Sequence, residues 1–280
     1  MFMKSHNYNP ILNLYLIAFL LLFLISNAQA QNEKALLQSG NEKMEKGDFT
    51  NAIVDFDKAI QLNGANAEAY MLRGVAKANS DLTASAMLDF NKAIQLNPNY
   101  ETAYLRRAVL KGIKSDLQGA MQDFEKVISL NPKNIEALLG KGFIKAKAGE
   151  YADATVAYEQ VIAIDATLVE PYLRLTEVAL VQQKSAEAIA YLDRYLSKDP
   201  DNMDIVLQKA FIKSENNDLE GAIADMNLLI EKDPQNNVAY YRRGEFQRKK
   251  GDMNAACADW KKALELGYTE LEAIIPIFCK

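Results

Sequence analysis

The chain has 280 residues, 49% hydrophobic and 25% charged, with 32 Lys plus Arg against 37 Asp plus Glu and a net charge of −5. That composition buries a core and excludes wholesale disorder or a protein of many membrane spans, and its acidic balance argues against generic nucleic-acid binding. The single histidine lies at position 6 and there are two cysteines. Beyond residue 30 there is therefore no imidazole for a Ser-His-Asp triad, a Cys-His pair or a zinc site, and two thiols cannot form a four-thiolate metal site. No stretch reads GxxxxGK[ST], or GxGxxG after a strand. The composition points to binding, with no catalytic residue, cofactor or metal.

The N-terminus reads as a secretory signal peptide over residues 1–30. Lys4 and the free amino group precede an apolar run from Ile11 to Ile25, broken only by Asn13 and followed by Ser26-Asn27-Ala28-Gln29-Ala30. Ala28 and Ala30 offer the small residues a signal peptidase requires, so cleavage after Ala30 is expected, with a cut after Ala28 as the alternative. The apolar run falls short of the roughly 17–25 residues that span a bilayer, so no transmembrane segment is expected after cleavage. No cysteine follows it to be acylated as in bacterial lipoproteins. Cleavage leaves 31 basic and 37 acidic residues, a net charge of −6. The expected location is periplasmic or extracellular, where oxidised cysteines are plausible.

From residue 33 onward the chain matches itself at a shift of 34, without gaps. The units are 33–66, 67–100, 101–134, 135–168, 169–202, 203–236 and 237–270, in one domain over 31–280, with 271–280 as a short C-terminal cap. The twentieth residue is alanine in all seven units, from Ala52 to Ala256. Four residues later stand Phe56, Phe90, Phe124, Tyr158, Leu192, Met226 and Trp260, and four after those an Ile or Leu. Steps of four trace one helix face. The eighth residue is small throughout (Gly40, Gly74, Ala108, Gly142, Thr176, Ala210, Gly244), as close packing of a second helix demands.

Gly47-Asp48, Ser115-Asp116, Gly149-Glu150, Asn217-Asp218 and Gly251-Asp252 mark a turn inside five of the seven units, where polar side chains cap the second helix. In the second unit, Asn79-Ser80-Asp81-Leu82 runs one residue early, which predicts an irregular turn. Asn97-Pro98, Asn131-Pro132, Asp199-Pro200 and Asp233-Pro234 are expected to end the second helices, because proline has no N–H to donate and disfavours helix in the residue before it.

These columns resemble the tetratricopeptide repeat over residues 33–270, with Tyr70, Tyr104, Tyr172 and Tyr240 in the family's first aromatic position and Gly64, Ala166 and Tyr268 departing from its closing proline. The resemblance implies an all-α, right-handed superhelical solenoid of seven helix–turn–helix units. The last unit, with Ala256-Cys257-Ala258-Asp259-Trp260, resembles terminal repeats of exported proteins of Bacteroidota. In this family the second, fifth, sixth, ninth, twelfth and thirteenth residues of the first helix line a concave groove that binds peptides or partner segments. On those positions Met71, Val75, Leu105, Val109, Leu139 and Phe143 form an apolar stripe, continued by Leu173, Leu207, Phe211 and Tyr241 in the same columns. Packing between units is the alternative role for these side chains. The sixth column adds Arg106, Arg174 and Arg242, and Glu177 and Glu245 follow two of them by three residues, so intrahelical ion pairs compete with capture of a partner's carboxylate. The Lys/Asn carboxylate clamp of chaperone-binding members is absent, since Leu37, Leu72 and Thr102 occupy three of its places.

The expected function is a non-enzymatic protein–protein interaction scaffold in the cell envelope or secreted, binding a protein or peptide in its groove. The alternative is an envelope-associated structural protein, or one contacting glycan or lipid through its charged outer surface. Arg242, Arg243, Arg248, Lys249 and Lys250 would serve that role, unless they form an ordinary solvated face. Asp55 and Asp57 alternate on a helix and diverge, and Asp89, Asp123, Asp225 and Asp259 repeat the first of them, a structural recurrence. A chain turning near Tyr268 would bring Cys257 and Cys279 level on an antiparallel hairpin and permit a disulfide, although Pro276 predicts an irregular final segment and two free thiols remain the alternative.

Overall fold

The computed structural model describes residues 10–279, with side chains from residue 27 onward; residues 1–9 of the segment read as an export signal lie outside the described residues. The described chain is helical in α1 (Pro10–Glu45), α2 (Phe49–Leu62), α3 (Ala67–Asn79), α4 (Thr83–Leu96), α5 (Glu101–Ile113), α6 (Leu117–Leu130), α7 (Ile135–Lys147), α8 (Tyr151–Ile164), α9 (Glu170–Val181), α10 (Ser185–Leu196), α11 (Met203–Glu215), α12 (Leu219–Lys232), α13 (Asn237–Lys250) and α14 (Met253–Glu265). A 3₁₀ turn (Thr269–Leu271) and the one-turn α15 (Ile275–Phe278) follow. The backbone of the segment read as the export signal is helical from Pro10 and continuous with the helix that ends at Glu45.

Two compact units divide the chain, one ending at Gly140 and one beginning at Lys141. In the first, α1/α2, α3/α4 and α5/α6 pair as hairpins, and α2 packs on α3 and α4 on α5. In the second, α9/α10, α11/α12 and α13/α14 pair in the same way, while α8 packs on α9, α10 on α11 and α12 on α13. The repeated alanines, Ala52 through Ala256, are all fully buried. The large residues four positions later are buried too, and Phe56, Phe90, Tyr158 and Trp260 sit against the eighth-column glycines of their first helices. A Cβ on Gly74 would lie 2.7 Å from Phe90, one on Gly142 2.5 Å from Tyr158 and one on Gly244 2.6 Å from Trp260. Backbone approach this close is why the column is small.

The turn inside each hairpin has one geometry seven times. Gly47, Asp81, Ser115, Gly149, Gln183, Asn217 and Gly251 all have positive φ, and the amide of the next residue donates to the carbonyl five residues back, from Asp48 to Lys43 (2.8 Å) through Asp252 to Gln247 (3.0 Å). This is a left-handed closure in which two backbone bonds satisfy helix-end carbonyls. The turn of the repeat 67–100 is therefore regular, contrary to the sequence expectation: Leu82 donates to Lys77 at 2.9 Å like its counterparts. Asp81 takes the left-handed position (φ 60°) and not the cap. The cost falls on the cap, because Leu82 offers none to α4 whereas Asp48, Asp116, Asp218 and Asp252 each accept from an amide of their helix. Between hairpins, α4, α6 and α12 end one residue before Asn97, Asn131 and Asp233, as their Asn/Asp-Pro pairs require; α10 stops earlier, at Leu196, and a turn carries the chain to Pro200.

The recurring aspartates are buried and paired. Asp89 receives Arg73 (Nε 2.9 Å, Nη2 2.6 Å) and Lys77 (2.8 Å) from the first helix of its hairpin. Asp123 receives Arg107 and Lys111 in the same geometry, Asp225 receives Lys213 and Lys209, and Asp259 receives Arg243. The Asp89 bonds hold Arg73 well above its ordinary pKa against the opposing effect of burial, and Asp57 of the preceding hairpin adds to it. At Asp55 burial pushes the carboxyl up, yet bonds from Lys43 and Ser39 outweigh it and leave the carboxyl below its ordinary value. Asp55 and Asp57 thus serve different neighbours.

Removing one partner of such a buried pair strands the rest. Asp89→Ala is expected to destabilise the protein by about 3–5 kcal/mol, since Arg73 and Lys77 lose their shared acceptor, read as a lower urea midpoint by circular dichroism. Gln183→Gly removes left-handed strain from a side-chain-bearing residue and is expected to stabilise by about 1 kcal/mol in the same measurement.

Candidate partner-binding site

The proposed groove residues divide by burial. In the first unit, Met71 (8% exposed) and Leu105 (6%) lie in the core, Met71 packing with Ala93 and Ala103. Val75, Val109 and Leu139 are half-buried, with Val75 packed against the cluster of Phe90 and Leu110. Packing between hairpins accounts for Met71 and Leu105. Arg106 is exposed and pairs with Glu136 at 3.1 Å.

The second unit keeps its large apolar residues on the surface. Phe143 is 44% and Phe211 49% exposed, while Leu173, Arg174, Leu207, Tyr241 and Arg242 are half-buried. Phe143 borders a pocket of about 190 Å³ with Ala146, Lys147, Tyr151, Tyr158, Arg174, Glu177, Val178 and Val181. The Lys147 ammonium sits 5.7 Å from the Phe143 ring centre. Arg174 pairs with Glu170 (3.3 Å) and Glu177 (3.4 Å). Burial acts to lower its pKa, and the two carboxylates outweigh that and raise it. The buried Tyr158 phenol is pushed up to about 12 by desolvation, so this wall of the pocket is neutral.

Phe211 borders a second pocket, of about 350 Å³, with Leu207, Gln208, Ile212, Val238, Arg242 and Phe246. The Arg242 guanidinium lies 5.8 Å from the Phe211 ring centre and 5.0 Å from that of Tyr241, and Tyr241 stacks on Tyr268 at 4.5 Å. The intrahelical pair expected with Glu245 does not form, because Glu245 is taken by Arg248 at 3.1 Å. Among the described residues Arg242 has no carboxylate within ion-pair distance. Val178, Val181, Ile212, Val238 and Phe246 were not singled out from sequence. Val181 and Val238 stand in the thirteenth and second columns, where the family resemblance already placed groove residues.

The other cations of α13 are engaged: Arg243 with Asp259 and Asn227, Lys249 with Glu215 (2.7 Å) and Lys250 with Glu220 (3.2 Å). Among the described residues no group of His, Cys, Asp and Glu is placed to hold a metal ion. Among those with described side chains, no helix is long and apolar enough to cross a membrane.

At the C-terminus Cys257 and Cys279 form a disulfide, with a Cα separation of 5.5 Å. The segment that carries Cys279 is irregular, as Pro276 led the sequence reading to expect, and is not one continuous antiparallel helix. Pro276 sits in the first turn of α15, where its missing N–H costs nothing, and the chain folds back as short turns over Trp260, Leu271 and Tyr268. Phe278 meets Trp260 edge-on at 6.2 Å.

Stacked helical hairpins with an apolar, aromatic-lined first-helix face define an all-α helical-repeat scaffold. A TPR repeat family profile matches residues 40–80, and two tetratricopeptide repeat profiles match 145–209 and 179–243, and 67–100, 101–134 and 238–266. The chain belongs to the tetratricopeptide repeat family. Comparison with curated proteins gives no match. Among solved structures it is similar to a tetratricopeptide repeat protein from Parabacteroides merdae (18% identity, 89% of this chain and 97% of that one, TM-score 0.59). It is also similar to PilF of Pseudomonas aeruginosa (16%, 79% and 99%, TM-score 0.61) and to PilW, a widely conserved type IV pilus biogenesis factor (19%, 72% and 94%, TM-score 0.59). At these identities the likeness is one of fold.

The burial contrast is testable. Leu105→Ala is expected to cost about 2–5 kcal/mol, as a buried leucine does, and Phe211→Ala under about 1 kcal/mol, as a surface residue does. Urea denaturation of the two variants beside the native protein measures both.

Proposed function

We propose that this protein is a non-enzymatic interaction scaffold that holds a peptide or partner segment against the first-helix face of its second unit. The observation that carries this reading is the pair of open, apolar, aromatic-lined pockets beside Phe143 and Phe211. Exposed Phe side chains on a helix already supplied with a buried core are costly to keep in water, and such patches commonly mark interaction sites. Leu173, Arg174, Leu207, Tyr241 and Arg242 belong to the same face, and Val75, Arg106, Val109 and Leu139 occupy the corresponding columns of the first unit, taken by itself. Because each hairpin is held by its neighbours, the partner meets a largely preformed surface and little of the interaction is spent on ordering it.

The same proposal places the protein outside the cytoplasm after removal of residues 1–30. Support comes from the exposure of residues 27–32, which leaves the Ala28 and Ala30 sites open to a peptidase, and from the disulfide, which persists in oxidising compartments. The mature chain then comprises the seven units 33–66 to 237–270 and the cap 271–280. A role for the charged outer surface is less favoured, since Arg243, Arg248, Lys249 and Lys250 already hold partners within the protein.

The test is co-purification from the native cell envelope with the mature protein and with a Phe143→Glu, Phe211→Glu variant whose helical circular dichroism is unchanged. A partner retained by the native chain in 0.5 M salt, at which a charged-surface contact is screened to roughly a few ångströms, and lost from the variant is the expected result. Retention of every partner by the variant overturns the assignment.

A further inference from the structure

The two pockets of the second unit share three corresponding positions, 68 residues apart: Phe143 and Phe211, Arg174 and Arg242, and Val178 and Phe246. They differ in charge. At the first, Glu170 and Glu177 close on Arg174 at 3.3 and 3.4 Å. At the second, Val238 stands where Glu170 does, and Glu245, the counterpart of Glu177, is turned to Arg248. Two changes thus strip the carboxylates from one guanidinium and leave it beside an apolar pocket. The Arg242 guanidinium lies over the rings of Phe211 and Tyr241 at 5.8 and 5.0 Å, within cation–π distance of both, which favours one placement of its N–H edges before any ligand arrives.

Resting on the binding face proposed above, we infer that the pocket of Phe211, Val238 and Phe246 takes an acidic peptide segment. A bulky apolar side chain of the peptide fills the pocket, and a neighbouring Asp or Glu side chain takes the guanidinium of Arg242 in the place that Glu170 holds beside Arg174. Charge complementarity selects this occupant: a half-buried guanidinium without a carboxylate is met best by a carboxylate, through paired charge-assisted hydrogen bonds. The apolar side chain supplies the burial, and the carboxylate fixes orientation and excludes neutral or basic segments.

The probe is a phage-displayed library of random dodecamer peptides fused at their C-termini, so that only side-chain carboxylates can be selected. It is panned on the mature protein and on its Arg242→Gln and Val238→Glu variants, each checked for unchanged helical circular dichroism. The native protein is expected to select peptides with Asp or Glu within two positions of Phe, Trp, Leu or Ile. A selected peptide, resynthesised with acetylated and amidated ends, is expected to bind about tenfold more weakly to Arg242→Gln. The peptide with that acid changed to Gln or Asn is expected to lose the same factor on the native protein and nothing further on Arg242→Gln. Val238→Glu restores the missing carboxylate and is expected to weaken binding likewise.

Equal acid content in peptides selected by the native and Arg242→Gln proteins, or losses that multiply independently, overturns the inference. If selected peptides bind through Phe211, shown by loss in Phe211→Glu, yet are indifferent to Arg242→Gln, the binding face stands and the acidic partner falls. If the native protein selects no peptide, both fall.

Discussion

A carboxylate buried in the second helix of a hairpin and shared by cations of the first is the constraint around which the repeats are arranged. Asp89, Asp123 and Asp225 each draw on two basic residues spaced four apart, so the facing helices have one register in which all three groups meet. The cation nearer the helix start also reaches backward to the preceding hairpin: Arg73 to Asp57, Lys209 to Asp193, Arg107 to Asn91 and Arg243 to Asn227. One side chain thereby fixes both the pairing inside a hairpin and the stacking between hairpins. Buried ion pairs add little net stability over apolar packing, because desolvation offsets their attraction. Here their effect is better described as geometric.

Where the ladder lapses, the surface changes. Leu175 stands in the column of Arg73 and Arg107, and Ala157 and Tyr191 stand in the column of the aspartates. Leu175 and Ala157 are buried as ordinary apolar residues. Tyr158 and Val178, beside that apolar stretch, line the pocket of Phe143. The lapse and an apolar hollow coincide at this pocket, whereas the pocket of Phe211 lies between hairpins whose pairs, Lys213 with Asp225 and Arg243 with Asp259, are intact.

Much of the fold was legible because a helix hairpin leaves two periods in the sequence: four-residue steps along a face and 34 residues between copies. The alanine column and the small-to-aromatic match between eighth and twenty-fourth residues read directly as packing. Two features were not legible in that way. Asp81 looked like a displaced cap because Asp favours both caps and left-handed turns, and only backbone closure distinguishes them. Met71 and Phe143 stand in columns four residues apart, the first apolar or aromatic in every repeat and the second interrupted by Asn41, Glu177 and Glu245; one side chain is buried and the other exposed, and those polar interruptions were the available signal. The arginines show the same limit for charge. Arg174 and Arg242 each have a Glu three residues on, and Val238 in the place of Glu170 together with competition from Arg248 for Glu245 separates their environments. Pro276 was read as incompatible with a helix begun at Leu271, and the final segment is accordingly irregular, with Pro276 in the first turn of a separate short helix.

The last hairpin contains the chain's one tryptophan, Trp260, fully buried and in edge contact with Phe278. Its emission therefore senses only the terminal hairpin and its pinned cap, whereas far-ultraviolet dichroism sums over every helix. In an array whose neighbours alone are coupled, the two signals need not change together. The protein thus has a built-in optical marker for the order in which its repeats come apart, with Tyr158 at the corresponding site three units earlier as a natural position for a second one.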